Sequence, residues 1–270
     1  MAPIPQAPPA TAAGAEPALS AYECCARYYD LLTADYDHDG WLATIEELAI
    51  AFGFRGRRVL DVACGTGKST APLLRRGYEV SACDLSPAMV RRARMRLGAD
   101  ADVFLADMRA LPSGRTFELL TCLDDALNYL LGDEDLRAAA RSFASVLEPG
   151  GLAIFDLNTT ATYDAVFKRG CVFPAADGRL RWRGQGRTAD GCHIAVVEPI
   201  AGTGQAGRPS VHVQRHHPPG SVRRACAAAG LEVLRVYGQS SGGVLHETCD
   251  EDRQTKLLYV ARKRRGRGAS

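Results

Sequence analysis

Short apolar runs and segments of helical spacing alternate along the chain from residue 57 onward. Runs such as RRVLDVA, YEVSACD and DVFLAD have the length of strands, whereas PAMVRRARMRLG repeats its apolar residues at helical intervals. The segment EDLRAAARSFASVLEPGG predicts a further helix, which ends before the apolar strand at 152–157. Alternating strands and helices are typical of a parallel sheet with helices on both faces. The pattern therefore predicts an α/β, doubly wound fold.

The pattern changes on both sides of this core. Residues 21–52 have helical spacing with a break at ADYDHDG, which predicts two short helices before the sheet. After Asn158, polar and apolar residues alternate between glycine-rich turns at 184–191 and 202–207, which predicts an antiparallel insertion of about three strands. The segments LEVLRVYG and TKLLYVARK then predict two strands that close the sheet edge.

Length and composition are those of a globular chain. The 270 residues, 46% of them hydrophobic, are enough for one sizeable core. Residues 1–20 contain five prolines and lack both the basic n-region and the apolar stretch of a signal peptide. No later segment approaches the roughly 18 uncharged apolar residues of a membrane span. We therefore predict a cytoplasmic protein that does not bind membranes.

Charge argues against a nucleic-acid-binding protein, and cysteine usage argues against a disulfide-linked or metal-binding one. The net charge is +2, but five of the 33 basic residues lie in the C-terminal RKRRGRG, which leaves 28 basic against 31 acidic residues elsewhere. A body without a basic stripe is not expected to have nucleic acid as its partner. The nine cysteines are scattered, odd in number and without Cys-x-x-Cys spacing. This usage predicts reduced structural thiols and no metal site.

The stretch CGTGKST resembles two different phosphate-binding loops. A P-loop requires a glycine at position 62, where this chain has valine. A dinucleotide fingerprint fits Gly65 and Gly67 but meets Thr70 where the third glycine should stand. An NTPase and a dehydrogenase therefore remain as weaker alternatives.

Three carboxylates follow three consecutive strands. Asp61 ends the first strand directly before the small-x-Gly-x-Gly turn of residues 63–67, Asp84 ends the second strand, and Asp107 follows the third. A carboxylate at the second position can accept both ribose hydroxyls. One at the third position can meet the exocyclic amine of adenine. The spacing predicts an adenosine site that does not require a pyrophosphate.

At these residues the chain resembles the class I S-adenosylmethionine-dependent methyltransferases. The motifs VLDVACGTG, ACDLSPAMVRRAR, LADM, CLDDALNYL and LEPGGLAIFDLNT occur in the order and spacing of that family, across about residues 57–159. The resemblance implies a seven-stranded Rossmann-like sheet with an N-terminal helical lid and a small antiparallel β insertion. Ala63 stands where many members have glycine, a small substitution that should still admit the cofactor. Lys68 and Ser69 become ordinary residues of a first helical turn.

The resemblance also implies contacts to S-adenosylmethionine. The residues that it assigns to the methionine portion are Asp61, Ala63, Gly65 and Gly67. Asp84 binds the ribose and Leu85 flanks the adenine, while Asp107 and the amide of Met108 bind the adenine edge. The resemblance also places Leu123 and Asp124 beneath the methyl-bearing sulfur.

Tyrosines of the N-terminal ARYYDLL helix are further candidates, because the family often places one over the cofactor. Tyr29 is the first candidate for this contact and Tyr28 the second. An amine acceptor must arrive unprotonated, and a hydroxyl acceptor benefits from a base. The candidate catalytic residues for this step are Tyr29, Asp124, Asp125 and His216.

The chain is predicted to divide into six segments. They are a disordered tail at 1–20, a helical lid at 21–56, the cofactor-binding core at 57–158, an antiparallel substrate-cap insertion at 159–217, the end of the core sheet at 218–263 and a basic tail at 264–270.

This arrangement resembles the small-molecule branch of the family, which includes aminosugar N-methyltransferases. We predict methyl transfer to a small-molecule acceptor, in the first place an amine of natural-product or secondary metabolism. An O- or C-methyltransferase, a tRNA-modifying enzyme and a non-catalytic S-adenosylmethionine-binding interaction protein remain as alternatives. A homo-oligomer is also left open.

Overall fold

The structure is a computed structural model that describes residues 15–98, 101–168, 171–175, 178–199 and 209–265. Its strands, in chain order, are β1 (Arg58–Val62), β2 (Glu79–Asp84), β3 (Asp102–Leu105), β4 (Phe117–Cys122), β5 (Leu147–Asn158), β6 (Cys171–Ala175), β7 (Gly178–Arg187), β8 (His193–Pro199), β9 (Ser210–Gln214), β10 (Leu231–Gln239), β11 (Leu245–His246) and β12 (Lys256–Lys263).

The central sheet has the strand order β11-β10-β12-β5-β4-β1-β2-β3 within the described residues. Strands β1 to β5 pair in parallel, whereas β12 pairs antiparallel with both β5 and β10. The predicted α/β doubly wound fold is therefore confirmed. The two-residue strand β11 extends the predicted seven strands to eight.

The helices, in chain order, are α1 (Glu16–Cys25), α2 (Tyr29–Leu32), α3 (His38–Ala51), α4 (Thr70–Arg75), α5 (Pro87–Leu97), α6 (Asp133–Val146), α7 (Thr160–Thr162) and α8 (Pro219–Ala228). Local sequence explains where two of them begin. The Asp37 side chain caps α3 by accepting from the N–H of Gly40 at 2.9 Å. Ser86 caps α5 by accepting from the N–H of Met89 at 3.1 Å, and proline occupies the first turn.

Helices cover both faces of the sheet, and alternate strand residues supply the two cores. Leu258 and Val260 of β12 pack with α3 and α4 residues such as Trp41 on one face. Leu257 and Tyr259 pack with α6 and α8 residues such as Phe143 on the other. Because both faces are buried, the strands appear as continuous apolar runs in the sequence.

Three segment predictions need correction. Helix α1 begins at Glu16, inside the predicted disordered tail, while residues 1–14 lie outside the described residues. Three helices rather than two precede β1. The insertion forms a sheet of four strands, β6-β7-β8-β9, rather than three. Residues 266–270 of the predicted basic tail are also outside the described ranges.

Helix α1 packs on β9 and so joins the N-terminal segment to the insertion. Within the described part of the chain, no helix has both the length and the apolar character to cross a membrane.

Candidate active site

A cleft opens at the carboxyl ends of β1 to β4, beside the N-terminal helices. Its empty space, open mouth included, is about 1010 Å³. This edge of an open α/β sheet is where ligands bind. The predicted site residues that line it are Tyr29, Asp61, Ala63, Gly65, Asp84, Leu85, Asp107, Met108, Leu123 and Asp124.

Asp84 joins the end of β2 to the glycine turn. Its carboxylate accepts hydrogen bonds from the N–H groups of Gly65 and Ser86, both at 2.9 Å. Burial raises the pKa of Asp84 to about 6, although these amides oppose the shift. Each carboxylate oxygen has a second lone pair, so Asp84 can also accept from a pair of neighbouring hydroxyls. The geometry is compatible with the predicted ribose contact.

The turn after β1 has an unusual backbone. Ala63 and Gly65 have φ values of 57° and 55°, in the left-handed region that favours glycine. For alanine this conformation costs on the order of 1 kcal/mol. The turn therefore keeps its shape at Ala63, where the resemblance expects glycine, at a cost in strain.

Asp61 holds the glycine turn from below. Its Oδ2 accepts from the hydroxyls of Ser69 and Thr70 at 2.8 and 2.7 Å, and its Oδ1 accepts from Thr121 at 3.0 Å. Burial raises the pKa of Asp61, and the three hydroxyls oppose the shift. These bonds fix the start of α4 against β1 and β4. A ligand amine that reached Asp61 would share the carboxylate oxygens of Asp61 with these three hydroxyls.

Asp107 is engaged by a neighbouring arginine. Arg109 Nε lies 3.1 Å from each Asp107 oxygen, and Nη2 lies 2.7 Å from Oδ2. Arg109 Nη1 also donates to Asp135 of α6 at 2.7 Å. An adenine amine would therefore share Asp107 with Arg109. Arg109 lines the cleft but carries no motif that would have identified it from the sequence.

Lys68 connects the glycine turn to the helices before it. Its Nζ donates to the carbonyl oxygens of Asp30 and Thr33 at 3.0 and 3.1 Å, and to the Thr33 hydroxyl at 2.9 Å. Thr66 adds a bond to Asp30 Oδ1 at 2.6 Å. Since α4 begins only at Thr70, Lys68 is an anchor for the N-terminal segment rather than an ordinary residue of the first helical turn.

Asp124 and Asp125 form a strained turn after β4. Both have left-handed backbone, with φ of 59° and 55°, at a cost of about 1 kcal/mol or more each. Asp156 holds the turn by accepting from both N–H groups, at 3.0 and 2.6 Å. Backbone strain of this kind is concentrated at functional sites.

Lys256 binds the same group of carboxylates. Its Nζ lies 3.1 Å from Asp125, 3.4 Å from Asp156 and 3.6 Å from Asp124. Burial alone would lower the pKa of Lys256, but the three carboxylates raise it well above its ordinary value. Burial raises the pKa of Asp124 and of Asp125, and Lys256 opposes both shifts. When all four groups are ionised, the cluster is negative overall.

Two predicted cofactor contacts do not lie in the cleft. The Tyr28 hydroxyl donates to Ser210 Oγ at 3.0 Å, and its ring is fully buried towards the insertion. Gly67 faces α5, where an added Cβ would lie 3.1 Å from Leu97 Cδ1. The assignment of Tyr28 is therefore corrected, whereas the backbone contact predicted for Gly67 stays a prediction. Tyr29 is the tyrosine over the glycine turn, since a Cβ added at Gly65 would lie 3.6 Å from its Cε1.

Two predicted catalytic residues also do not line the cleft. Asp125 Oδ2 accepts from Gln214 Nε2 at 2.6 Å, which turns it towards the insertion. His216 Nε2 lies 2.6 Å from Glu251 Oε1, in the loop between β11 and β12. The catalytic assignment of His216 is corrected because its imidazole is engaged outside the cleft. Asp125 supports the turn that places Asp124 in the cleft.

Aromatic residues that the sequence did not single out complete the cleft wall. Tyr22 of α1 and Tyr129 line it, with ring centroids 5.1 Å apart. His212 of β9 lies next to Tyr129, whose hydroxyl is 2.7 Å from His212 Nδ1. The DDALNYL motif contains Tyr129, and the alternation in SVHVQ predicts the strand that contains His212. Neither signal shows that the two residues meet.

The described residues contain no group of three or more His, Cys, Asp or Glu side chains that could hold a metal ion. A family model described as a methyltransferase domain matches residues 59–151.

Two related sequences extend this similarity. A dTDP-3-amino-3,4,6-trideoxy-alpha-D-glucopyranose N,N-dimethyltransferase from Streptomyces venezuelae is 32% identical over 193 residues, which are 68% of this chain and 79% of that protein. A protein from Geobacillus sp. (strain WCH70) named as a methyltransferase is 30% identical over 60% of this chain. The alignment spans just under two thirds of that relative, 66% of its length.

A solved structure shares the fold over most of the chain. It is SAM-bound CalS10 from Micromonospora echinaspora, an amino pentose methyltransferase involved in calicheamicin biosynthesis. The two chains are 25% identical, and the TM-score is 0.62. The match covers 87% of this chain and 98% of CalS10.

Proposed function

Because the chain belongs to the S-adenosylmethionine-dependent methyltransferases, we propose that it transfers the cofactor's methyl group to the amine of a small molecule. The observation that carries this proposal is the position of Asp124. It lines the same cleft as Asp84 and the glycine turn, and a strained backbone holds it there.

The described residues fit the cofactor. Asp84 offers lone pairs for the ribose hydroxyls, and the turn at 63–65 exposes backbone at the cleft floor. Leu85 and Met108 line the cleft where an adenine ring would need apolar neighbours. When bound, S-adenosylmethionine supplies an electrophilic methyl group on a sulfonium. The residues named here would bind and orient it, because an in-line displacement depends mainly on alignment.

Asp124 is the group that we assign to the acceptor's proton. A neutral amine is needed for attack, so an acceptor that arrives as an ammonium must first lose a proton. Burial raises the pKa of Asp124. The pKa of the carboxyl group is then closer to that of an amine, which makes the carboxylate a better proton acceptor. In this step the N–H bond breaks and the proton moves to an Asp124 oxygen.

The charge of the cluster favours an amine over a hydroxyl. Asp124, Asp125 and Asp156 face a single Lys256, which leaves excess negative charge next to the cleft. During N-methylation the positive charge moves from the sulfonium to the product ammonium. A negative environment stabilises the cation before and after transfer. The names of the Streptomyces relative and of CalS10 refer to amino sugars, so an amino sugar is the acceptor class that we propose.

A methyl-transfer assay tests this function. Purified protein and S-adenosylmethionine are incubated with amino sugars, their nucleotide-linked forms, simple alcohols, phenols and tRNA. We expect mass spectrometry to show a gain of 14 daltons on an amino sugar, together with the demethylated cofactor. Asp124→Asn is the matched variant, because it keeps the size of the side chain and removes the proton acceptor. It should lower kcat by about 10²-fold or more.

Other outcomes would reject the proposal. Methylation of tRNA or of a phenol in preference to every amine would favour another branch of the family. Cofactor binding without transfer to any acceptor would favour the non-catalytic alternative. Full activity of Asp124→Asn would remove Asp124 from proton transfer, and with it the observation that carries the proposal of an amine acceptor.

A further inference from the structure

Strand β9 has three buried polar side chains on one of its faces. Ser210, His212 and Gln214 are buried, with 0, 2 and 1% exposure, whereas Val211 between them is 49% exposed. This is the two-residue alternation of a strand with one covered face. Buried polar side chains need hydrogen-bond partners, and those of β9 lie largely outside its own sheet.

A chain of hydrogen bonds runs from the cleft into the insertion. The Tyr129 hydroxyl lies 2.7 Å from His212 Nδ1, and His212 Nε2 lies 2.9 Å from Ser210 Oγ. Ser210 Oγ also accepts from the buried Tyr28 hydroxyl at 3.0 Å. Tyr129 lines the cleft at the outer end of this chain. The corrected position of Tyr28 thus gives it a place behind His212.

The surroundings of His212 keep its imidazole neutral. Aromatic rings pack against it, with centroids at 5.2 Å for Trp182 and 5.7 Å for Tyr22. Burial lowers the pKa of His212 to about 4. A neutral imidazole has one N–H and one bare nitrogen. When Nδ1 accepts a hydrogen bond from the Tyr129 O–H, the Nε2–H donates to Ser210 Oγ, and both ring nitrogens are satisfied.

We propose that Tyr129 contacts the nucleophilic nitrogen of the acceptor through its hydroxyl oxygen, and that His212 is the positioning residue that sets this contact. The Tyr129 O–H keeps its proton and donates a hydrogen bond to His212 Nδ1, so the hydroxyl oxygen acts only as an acceptor. An N–H of the substrate would share this oxygen with the Tyr22 and Gln214 side chains, which also bind it. The bond from the substrate N–H leaves the nitrogen lone pair free to point at the methyl group. The inference rests on the proposed function and names the residues that orient its substrate.

Hydrogen bonds of the neighbouring Asn128 hold Tyr129 in place. The Asn128 side chain donates to Arg215 O at 2.9 Å and accepts from the Asn158 N–H at 2.8 Å. Arg215 N–H donates in turn to Asn128 O at 2.7 Å. The short helix at Ala126–Tyr129 is thereby bound to both β5 and the end of β9. An orienting hydroxyl requires such support, because small errors in alignment slow the reaction.

Two substitutions of equal size at position 212 test the inference. His212→Asn keeps a polar atom near the place of Nδ1, whereas His212→Leu removes it. Using the best amine found in the methyl-transfer assay, we expect Tyr129→Phe and His212→Leu each to lower kcat/KM about tenfold. His212→Asn should recover most of this loss. The dissociation constant for S-adenosylmethionine should change less than about twofold in all three variants, because the cofactor contacts are elsewhere.

A double variant separates positioning from a general structural role. If His212 acts only through Tyr129, adding His212→Leu to Tyr129→Phe should cause no further loss of kcat/KM. Additive losses, or wild-type kcat/KM in Tyr129→Phe, would overturn the inference. Should His212→Leu fail to fold, Tyr129→Phe and His212→Asn still decide it. A wild-type protein that methylates no amine rejects the proposed function and this inference with it, whereas active variants reject this inference alone.

Discussion

At the scale of single residues, Asp84 links protonation to cofactor binding. Its pKa is raised to about 6 by burial, so the free protein holds it ionised at pH 7.5 and largely protonated at pH 5. The ionised carboxylate is the better acceptor for ribose hydroxyls. We therefore expect affinity for S-adenosylmethionine to fall about tenfold between pH 7.5 and pH 5. Calorimetric titration measures this, and Asp84→Asn should remove most of the pH dependence. Equal affinity at both pH values would contradict the ribose role.

Residues differ in how far the sequence could predict them. Asp84 could be identified because it is the last residue of a strand, and neighbouring parallel strands end at one edge of the sheet. His212 could not, because its contact with Tyr129 joins positions 83 residues apart through a sheet register that no local pattern encodes. His216 is a candidate base in the sequence because of its residue type alone, and the sequence does not show that Glu251 binds it outside the cleft.

At the scale of elements, the contact of Lys68 with the end of α2 connects the glycine turn to the helix that carries Tyr29. Lys68→Met keeps the apolar length of the side chain and removes three hydrogen bonds to Asp30 and Thr33. We expect the cofactor to dissociate about three- to tenfold faster, because the N-terminal segment is less firmly held over the turn. Stopped-flow measurement of cofactor release tests this.

The matched control for Lys68 is Arg75→Met, which breaks an exposed ion pair with Asp39 of α3. Exposed pairs contribute little, so its cofactor release should match that of the wild type. Equal release from Lys68→Met and the control would show that the Lys68 contact does not retain the cofactor.

Elements of the core follow from local pattern, whereas those of the periphery depend on their neighbours. Strands β1 to β5 could be predicted because burial on both faces makes them continuous apolar runs. The first half of helix α1, residues 16–20, falls in the predicted tail, because residues 1–20 contain five prolines and no continuous apolar stretch. Its stability comes instead from packing on β9 and from the contact of Tyr22 with Tyr129. Neither neighbour is close to α1 in the sequence.

At the scale of the whole molecule, the cleft is bounded by three parts of the chain that are distant in sequence. The central sheet supplies Asp84 and Asp124, the N-terminal helices supply Tyr22 and Tyr29, and the insertion supports Tyr129 through His212. This division suggests that the cofactor and the acceptor depend on different parts. The cofactor would contact mainly the sheet and the N-terminal helices, and the acceptor would contact the side supported by β9.

Hydrogen exchange can measure this division directly. Because ligands slow exchange where they suppress local opening, S-adenosylmethionine alone should protect the glycine turn at 63–68 and helix α2. Adding the amine acceptor to the protein with demethylated cofactor should extend protection to 124–129 and β9. The edge formed by β10 and β11 is an internal control, because neither strand lines the cleft, and its exchange should not change. Acceptor protection confined to α2, with none at 124–129 or β9, would place the acceptor away from Tyr129 and against the N-terminal helices alone.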